Sequence, residues 1–285
     1  MRNPRMWTDV YSECSYLTLD HLNIIAPRGY CQNLDGMDVC DSDHVTISNC
    51  HIEAQDDGIC LKSHGPRGLQ DISVVNNTIT DFDANGIKIG TYTKGPIEGI
   101  SMINNTVDGA AYGGLCIESV YGSKVSGVHV NGLEMSRVAQ PIFIRLARRD
   151  LPKNGLPGTA PGSMDQVVIE NVRVVDPAKR KAPSNTITGI PEAKLGSIVI
   201  RNAYVQMPGG LENIPNVSGE HDGGYPQSSI FGDPPAFGFY VRHAPQVTLD
   251  HVTVVSLKPD ARPWLASDDA TVNTVGCPPV TAGLH

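Results

Sequence analysis

The sequence predicts an all-β protein, a single-stranded right-handed parallel β-helix, and three observations predict it. A short strand-like segment recurs along the chain, its early copies are about 28 residues apart, and a second strand-like set lies between them. The first set reads LTLDHLNI from Leu17, VTISNCHI from Val45, ISVVNNTI from Ile72 and ISMINNTV from Ile100, then VHVNGLEM from Val128, VVIENVRV from Val167, IVIRNAYV from Ile198 and VTLDHVTV from Val247. Apolar and polar residues alternate with period two within each copy, the mark of a strand with one buried face. None is long enough to bury that face alone. Equivalent strands stacked about 4.8 Å apart would pair their backbones and close one continuous apolar column.

The fifth residue of each copy forms a column: His21, Asn49, Asn76, Asn104, Gly132, Asn171, Asn202 and His251. Its first steps are 28, 27, 28 and 28 residues, and the later ones, 39, 31 and 49, signal inserted loops. Asparagine at a bend can pair its amide with backbone or with the asparagine of the next coil, so a ladder is expected here. That ladder is preferred to glycosylation for Asn76 and Asn104, although both satisfy N-x-S/T. A leucine-rich repeat is shorter and a propeller blade longer, and neither heptads nor a long amphipathic helix is visible. The Pro- and Gly-rich insertions Ala147–Ser163 and Pro208–Ala236 read as loops that wall one end of a cleft.

The second set reads LDGMDVC, DDGICLKS, NGIKIGT, GGLCIES and QPIFIRL, and its glycines fix the register. Met37, Ile59, Ile87, Leu115 and Ile142 align and point inward, as do Val39, Leu61, Ile89, Ile117 and Ile144. Alternation turns Asp38, Cys60, Lys88, Cys116 and Phe143 outward, followed by Cys40, Lys62, Gly90, Glu118 and Arg145, which are expected to face solvent.

Composition fits such a stack. Aromatics are only 6% of the chain, while glycine and proline number 29 and 21, so the core must be filled by Val, Ile and Leu. The net charge of −8 and the lack of a basic stripe argue against nucleic acid as partner. Of the two dense basic runs, Arg145/Arg148/Arg149 and Lys179/Arg180/Lys181, the second reads as a solvated loop. Seven cysteines, Cys31 among them, include no CxxC pair, so a zinc knuckle is not expected and most should be buried apolar residues. Cys60 and Cys116 fall two coils apart, too far for a disulfide. No apolar run approaches a membrane span and no signal peptide is visible. One domain is expected over 1–285. Because Met1–Trp7 runs almost directly into strand-like sequence, further coils are expected ahead of it, and without them the open end would expose apolar core, leaving a monomer or an association through that end.

Just before the second set stand Asp35, Asp57 and Asn85 in one column, with Asp56 beside Asp57. Adjacent coils therefore gather Asp35, Asp56 and Asp57 on one face. Carboxylates that close repel, and one pKa should rise. Turn acids or a calcium site would also place them there. Carboxylates with split pKa values suit glycoside hydrolysis, in which one protonates the leaving oxygen and another activates water.

NLDGMD at Asn33–Asp38, followed by DDGICLKS at Asp56–Ser63 after a step of 21 residues from Asp35 to Asp56, resembles glycoside hydrolase family 28, the polygalacturonase family. QPIFIRL, ITGIP and FGDPPAFGFYVRH resemble a bacterial branch of it, so the likeness spans nearly the whole chain. The resemblance implies an inverting glycosidase acting without a cofactor on a pectin-like polysaccharide, outside the cytoplasm. It implies Asp56 as general acid and Asp35 with Asp57 as the pair that activates water. The family's G-H-G histidine aligns with Asn85, and its R-I-K arginine and lysine align with Cys116 and Glu118. Those cations hold the substrate's carboxylate in the family, so the departure bears on the substrate. Asn85, Lys62, Lys88, Glu118 and Arg145 are the expected substrate contacts. Glu118 would bond sugar hydroxyls, and Lys88 and Arg145 would hold a carboxylate in another subsite or pair with Glu118. His64 reads as a loop histidine at the cleft edge, and Trp7 and Tyr112 as residues that stack on sugar or simply pack. The rival readings are a polysaccharide lyase, with Lys62 or Lys88 near the α-proton, and a non-catalytic carbohydrate-binding β-helix.

Overall fold

The computed structural model describes residues 7–26, 29, 33–81, 83–153, 158–178 and 183–278. The basic run at Lys179 to Lys181 and Cys31 lie outside them. Among the described residues nineteen strands, numbered in chain order, join into one sheet system in which every pairing between them is parallel. They wind as a right-handed β-helix with three strand columns.

The first column holds β1 (Val10–Ser12), β4 (Met37–Cys40), β7 (Ile59–Ser63), β10 (Ile87–Thr93), β12 (Gly113–Ser119), β14 (Gln140–Leu146), β16 (Asn185–Thr188) and the opening residues of β18 (Phe239–Ser256) and β19 (Leu265–Val275). The second begins with β2 (Ser15–Asp20), β5 (Asp43–Ser48) and β8 (Leu69–Val75), and the third with β3 (Asn23–Ile25), β6 (His51–Ala54) and β9 (Thr78–Asp81). From the next coil on, one long strand serves both columns: β11 (Ile97–Asp108), β13 (Lys124–Ser136), β15 (Ser163–Val175) and β17 (Ser197–Met207).

Register follows the expected alignments. Leu17, Val45, Ile72, Ile100, Val128, Val167, Ile198 and Val247 pair in succession, as do Met37, Ile59, Ile87, Leu115 and Ile142. Their side chains, with those two residues on, fill one continuous core dominated by Ile, Val and Leu. A glycine column sets how closely the coils approach. A Cβ on Gly58 would lie 2.5 Å from the Gly86 carbonyl oxygen of the next coil, and Gly36 stands in the same relation to Gly58. Among the expected alignments, the one between β7 and β10 breaks. The pairing of β10 with β7 shifts between Ile89 and Thr93, so Gly90 does not sit beside Lys62 as expected.

The asparagine column forms one rung of the expected ladder, Asn202 Nδ2 donating to Asn171 Oδ1 at 3.4 Å, and has a second role. His21, Asn49, Asn76, Asn104, Asn171, Asn202 and His251 all adopt positive φ near 50°, as does Gly132 at 72°. These residues make the left-handed bend between the second and third columns, and Asn and His tolerate it better than most side chains. Asn76 and Asn104 are exposed. The buried ladder runs one residue later. Asn77 Nδ2 donates to Asn105 Oδ1 (3.0 Å), which also accepts from the Asn77 backbone N–H, while Asn77 Oδ1 accepts from Cys50 N at 2.9 Å. Asn105→Ala strands these donors in the core and is expected to lower unfolding free energy by about 1–3 kcal/mol, read from urea denaturation.

The outward residues of the first column are a second correction. Asp38, Cys60, Lys88, Cys116, Phe143, Cys40, Lys62, Glu118 and Arg145 point away from the core, yet all are buried. Alternation fixes which face a side chain occupies and says nothing of what covers that face. Here the 208–236 insertion covers much of it: Tyr225 contacts Lys88 and Thr91, Glu220 accepts from Arg145, and Phe231 lies over the Arg145 guanidinium.

Candidate active site

The acids sit where the chain enters the first column, and backbone bonds between coils fix their spacing. Thr8 N donates to Asp35 O, Gly36 N to Asp57 O and Gly58 N to Asn85 O, each near 2.8–2.9 Å. Asp35, Asp57 and Asn85 are therefore stacked as their spacing predicted.

Asp57 is saturated with donors. Its Oδ1 accepts from the Asn85 backbone N–H (3.1 Å) and the Asn85 amide (2.6 Å), and its Oδ2 accepts from Lys88 Nζ (3.1 Å) and the Cys60 thiol (3.4 Å). Asn85 repeats the arrangement one coil on, accepting from Gly113 N at 2.9 Å. Burial is the largest influence on Asp57 and pushes its pKa up. The Lys88 charge, the Asn85 amide and the Lys62 charge together outweigh it and hold the carboxyl below its ordinary value.

Asp35 shares Lys62 with Asp38, bonding Lys62 Nζ at 2.8 Å. Burial raises Asp35 to about 7; Lys62 opposes, and Asp38 and Asp57 add to the rise. Asp56 is half-buried and accepts a hydrogen bond from Asp57 N at 3.0 Å. No cation pairs with it among the described residues. Burial, then repulsion from Asp57 and Asp35, lifts it to about 6.

Two cavities meet at these acids, of about 410 and 170 Å³, and both have Asn33, Asp56, Asp57 and Tyr225 in their walls. The larger continues past Gln55, Asp83, Asn85 and Tyr112. The smaller contains Trp7, Asp35, Lys62, Lys88, Tyr92 and Arg149. Trp7 covers the Lys62 ammonium, 4.1 Å from the ring centre, and His64 stacks on Tyr92 at 4.7 Å. Asp35, Asp38 and Cys60 bring one ligand atom each within 4.8 Å of one another, the geometry of a small metal site. They do not suit one. Lys62 already bonds both carboxylates, and burial pushes the Cys60 thiol well above its ordinary pKa, so it stays protonated.

Of the expected contacts, Asn85, Lys62 and Lys88 reach the cavities with the three acids, but both lysines are ion-paired. Glu118 and Arg145 do not reach them. Arg145 bonds Thr188, the carbonyls of Gly189 and Glu220, and lies 3.8 Å from Asp222, so it anchors the insertion and does not pair with Glu118. Glu118 is buried, and burial raises it to about 7 against the pull of Lys88. Tyr225 and Arg149 were not anticipated. Both belong to insertions, where no periodicity ties a residue to a place. The signals were the insertions themselves and, for Arg149, the basic run Arg145/Arg148/Arg149.

The molecule is thus a parallel β-helix with a carboxylate-floored cleft on the outer face of one strand column. The chain belongs to the glycosyl hydrolases family 28, whose model matches residues 2–183. A putative galacturan 1,4-alpha-galacturonidase A of Aspergillus niger is 30% identical over 100 residues, covering 32% of this chain and 22% of the relative. The family 28 exopolygalacturonase of Yersinia enterocolitica shares the fold, with a TM-score of 0.65 at 17% identity over 96% of this chain and 44% of that one. The chain thus spans less than half the length of either.

Lys88 and Asp57 are a buried pair, and removing one partner leaves an uncompensated charge. Lys88→Met is expected to destabilise the fold by about 3–5 kcal/mol in urea denaturation, with part of the loss recovered by adding Asp57→Asn.

Proposed function

We propose that the chain hydrolyses glycosidic bonds in a pectin-like polysaccharide by an inverting displacement. The observation that carries this reading is the unequal pairing of the three acids. Asp35 and Asp57 each have a lysine, while Asp56, at the junction of the two cavities, has none.

Burial and the neighbouring acids keep the Asp56 proton in mildly acidic solution, and with no cation to hold it Asp56 is free to give that proton to the departing glycosidic oxygen. Asp57, held ionised, with Asp35 beside it, takes a proton from the water that attacks the anomeric carbon from the opposite face. The water oxygen–carbon bond forms as the glycosidic carbon–oxygen bond breaks, and solvent exchange restores both carboxyls. Elimination with Lys62 or Lys88 as base is disfavoured because a lysine must be neutral to take the α-proton: burial pulls both ammonium groups down, the negative groups around them outweigh it, and they stay charged. A non-catalytic module gains nothing from burying crowded acids, which costs stability. A polymeric substrate favours action outside the cytoplasm.

The covered outer face beyond β10 favours removal of terminal units. Tyr225 and the rest of the insertion leave Glu118, Phe143 and Arg145 no access to solvent, so the groove ends there. The relatives named a galacturonidase and an exopolygalacturonase agree with that reading.

The test is reducing-sugar release from pectic and neutral polysaccharides. Polygalacturonate is expected to be cut without ultraviolet absorbance, with monosaccharide as the product from the earliest times. Oligomers appearing first would contradict terminal action. Asp56→Asn is expected to reduce the rate about 100- to 10,000-fold. Activity requires Asp56 protonated, so the wild-type rate should fall as pH rises through about 6. An alkaline limb elsewhere would remove Asp56 from the acid role.

A further inference from the structure

We propose that Arg149 is the receptor for a carboxylate of the bound sugar, and so the residue by which the site selects an acidic unit over its esterified form. The inference rests on the glycosidase reading above.

The basic run Arg145/Arg148/Arg149 divides in the structure. Arg145 is buried and holds the insertion. Arg148 faces Asp222 at 3.4 Å and Glu192 at 3.8 Å. Arg149 alone of the three lines the cavity that contains Asp35, Asp56 and Asp57. Among the described residues no carboxylate lies at ion-pair distance from its guanidinium.

That sets it apart from the other cations of the cavity. Lys62 is bonded to Asp35 and Asp38, and Lys88 to Asp57. Their charges are already balanced, and diverting either to a ligand would unpair a buried acid. An anion entering the cavity meets one cation with no such obligation. The nearby Glu118 feels Arg149 through space, but it is buried and its oxygens make no hydrogen bond to it.

The guanidinium is also held in place. Its central carbon lies 4.6 Å from the ring centre of Tyr225 and 5.8 Å from that of Tyr121. Tyr121 in turn stacks on Tyr92 at 5.3 Å with planes 9° apart, and Tyr92 stacks on His64. The Arg149 backbone N–H bonds Val120 O at 2.8 Å. Cation–π contacts orient the group through aromatic rings and use none of its N–H donors. Those donors form a fork that matches a carboxylate, a geometry that lysine lacks. An ester has no charge to offer it.

The experiment compares wild type, Arg149→Gln and Arg149→Lys on polygalacturonate and on its methyl-esterified form. Thermal melting of each variant confirms the fold. Arg149→Gln is expected to raise KM for polygalacturonate about 10- to 100-fold with kcat little changed, the cost of a lost charge-assisted hydrogen bond. Its KM for the esterified polymer should stay near the wild-type value, and Arg149→Lys should recover part of the loss. An unchanged KM for polygalacturonate, or equal losses on both polymers, overturns the assignment. Should Arg149→Gln fail to fold, Arg149→Lys decides: a KM increase confined to the acidic polymer supports the role, and wild-type behaviour on both overturns it. If the wild type cuts neither polymer, the glycosidase reading fails and this inference with it, an outcome distinct from an active wild type whose variants do not discriminate.

Discussion

Coils stacked in parallel register bring equivalent residues of successive turns about one strand spacing apart. That repeat distance governs this molecule. It makes the core continuous, since each inward Ile or Val finds its counterpart above and below. It also forces whatever stands outward into columns, and an acid in one coil must then contend with the residue in the next. Three carboxylates on neighbouring turns are unfavourable unless something of opposite sign lies within reach. Lys62 and Lys88, projecting from β7 and β10 on the same face, supply that charge.

The chemistry of the site follows from how far that compensation reaches. Lys62 bonds Asp35 and Asp38 without overcoming their burial, Lys88 with Asn85 holds Asp57 ionised, and Asp56 has no cation among the described residues. Neighbouring side chains in one dipeptide are thereby pushed in opposite directions, Asp56 up to about 6 and Asp57 below its ordinary range. Asp57 also serves the fold. Its Oδ1 caps the N–H of Asn85 just as Asn85 Oδ1 caps Gly113, so the ionised acid is part of the ladder joining coils. A residue bound by four donors is held to its charge state and its position together, the preorganisation that the proposed role of a base requires.

Much of this was legible in the sequence. A step near 28 residues, period-two alternation and the glycines preceding Met37, Ile59 and Ile87 set two strand sets and their register, and the stacking of Asp35, Asp57 and Asn85 followed; the structure divides the first set into two columns. The positive-φ bend was marked by the column from His21 to His251, where Asn171 and Asn202 form one rung of the expected ladder, while the buried rung is made one residue later by Asn77 and Asn105. Sequence placed Lys62, Lys88, Glu118 and Arg145 on the outer face correctly and their surroundings wrongly. Alternation specifies a face, while exposure depends on segments far away in the chain.

The sequence by itself determined the solenoid, its register and the gathering of the acids, because these arise from short-range periodicity repeated many times. Only the tertiary structure decided how the charges are partnered and which cation remains unpaired. Arg145 and Arg149 lie four residues apart in one basic run, yet one anchors a loop and the other faces the cleft. Tyr225, more than a hundred residues beyond Lys88, closes over it. Loops without a repeat carry no register, so where they land is fixed by packing and charge on the folded surface.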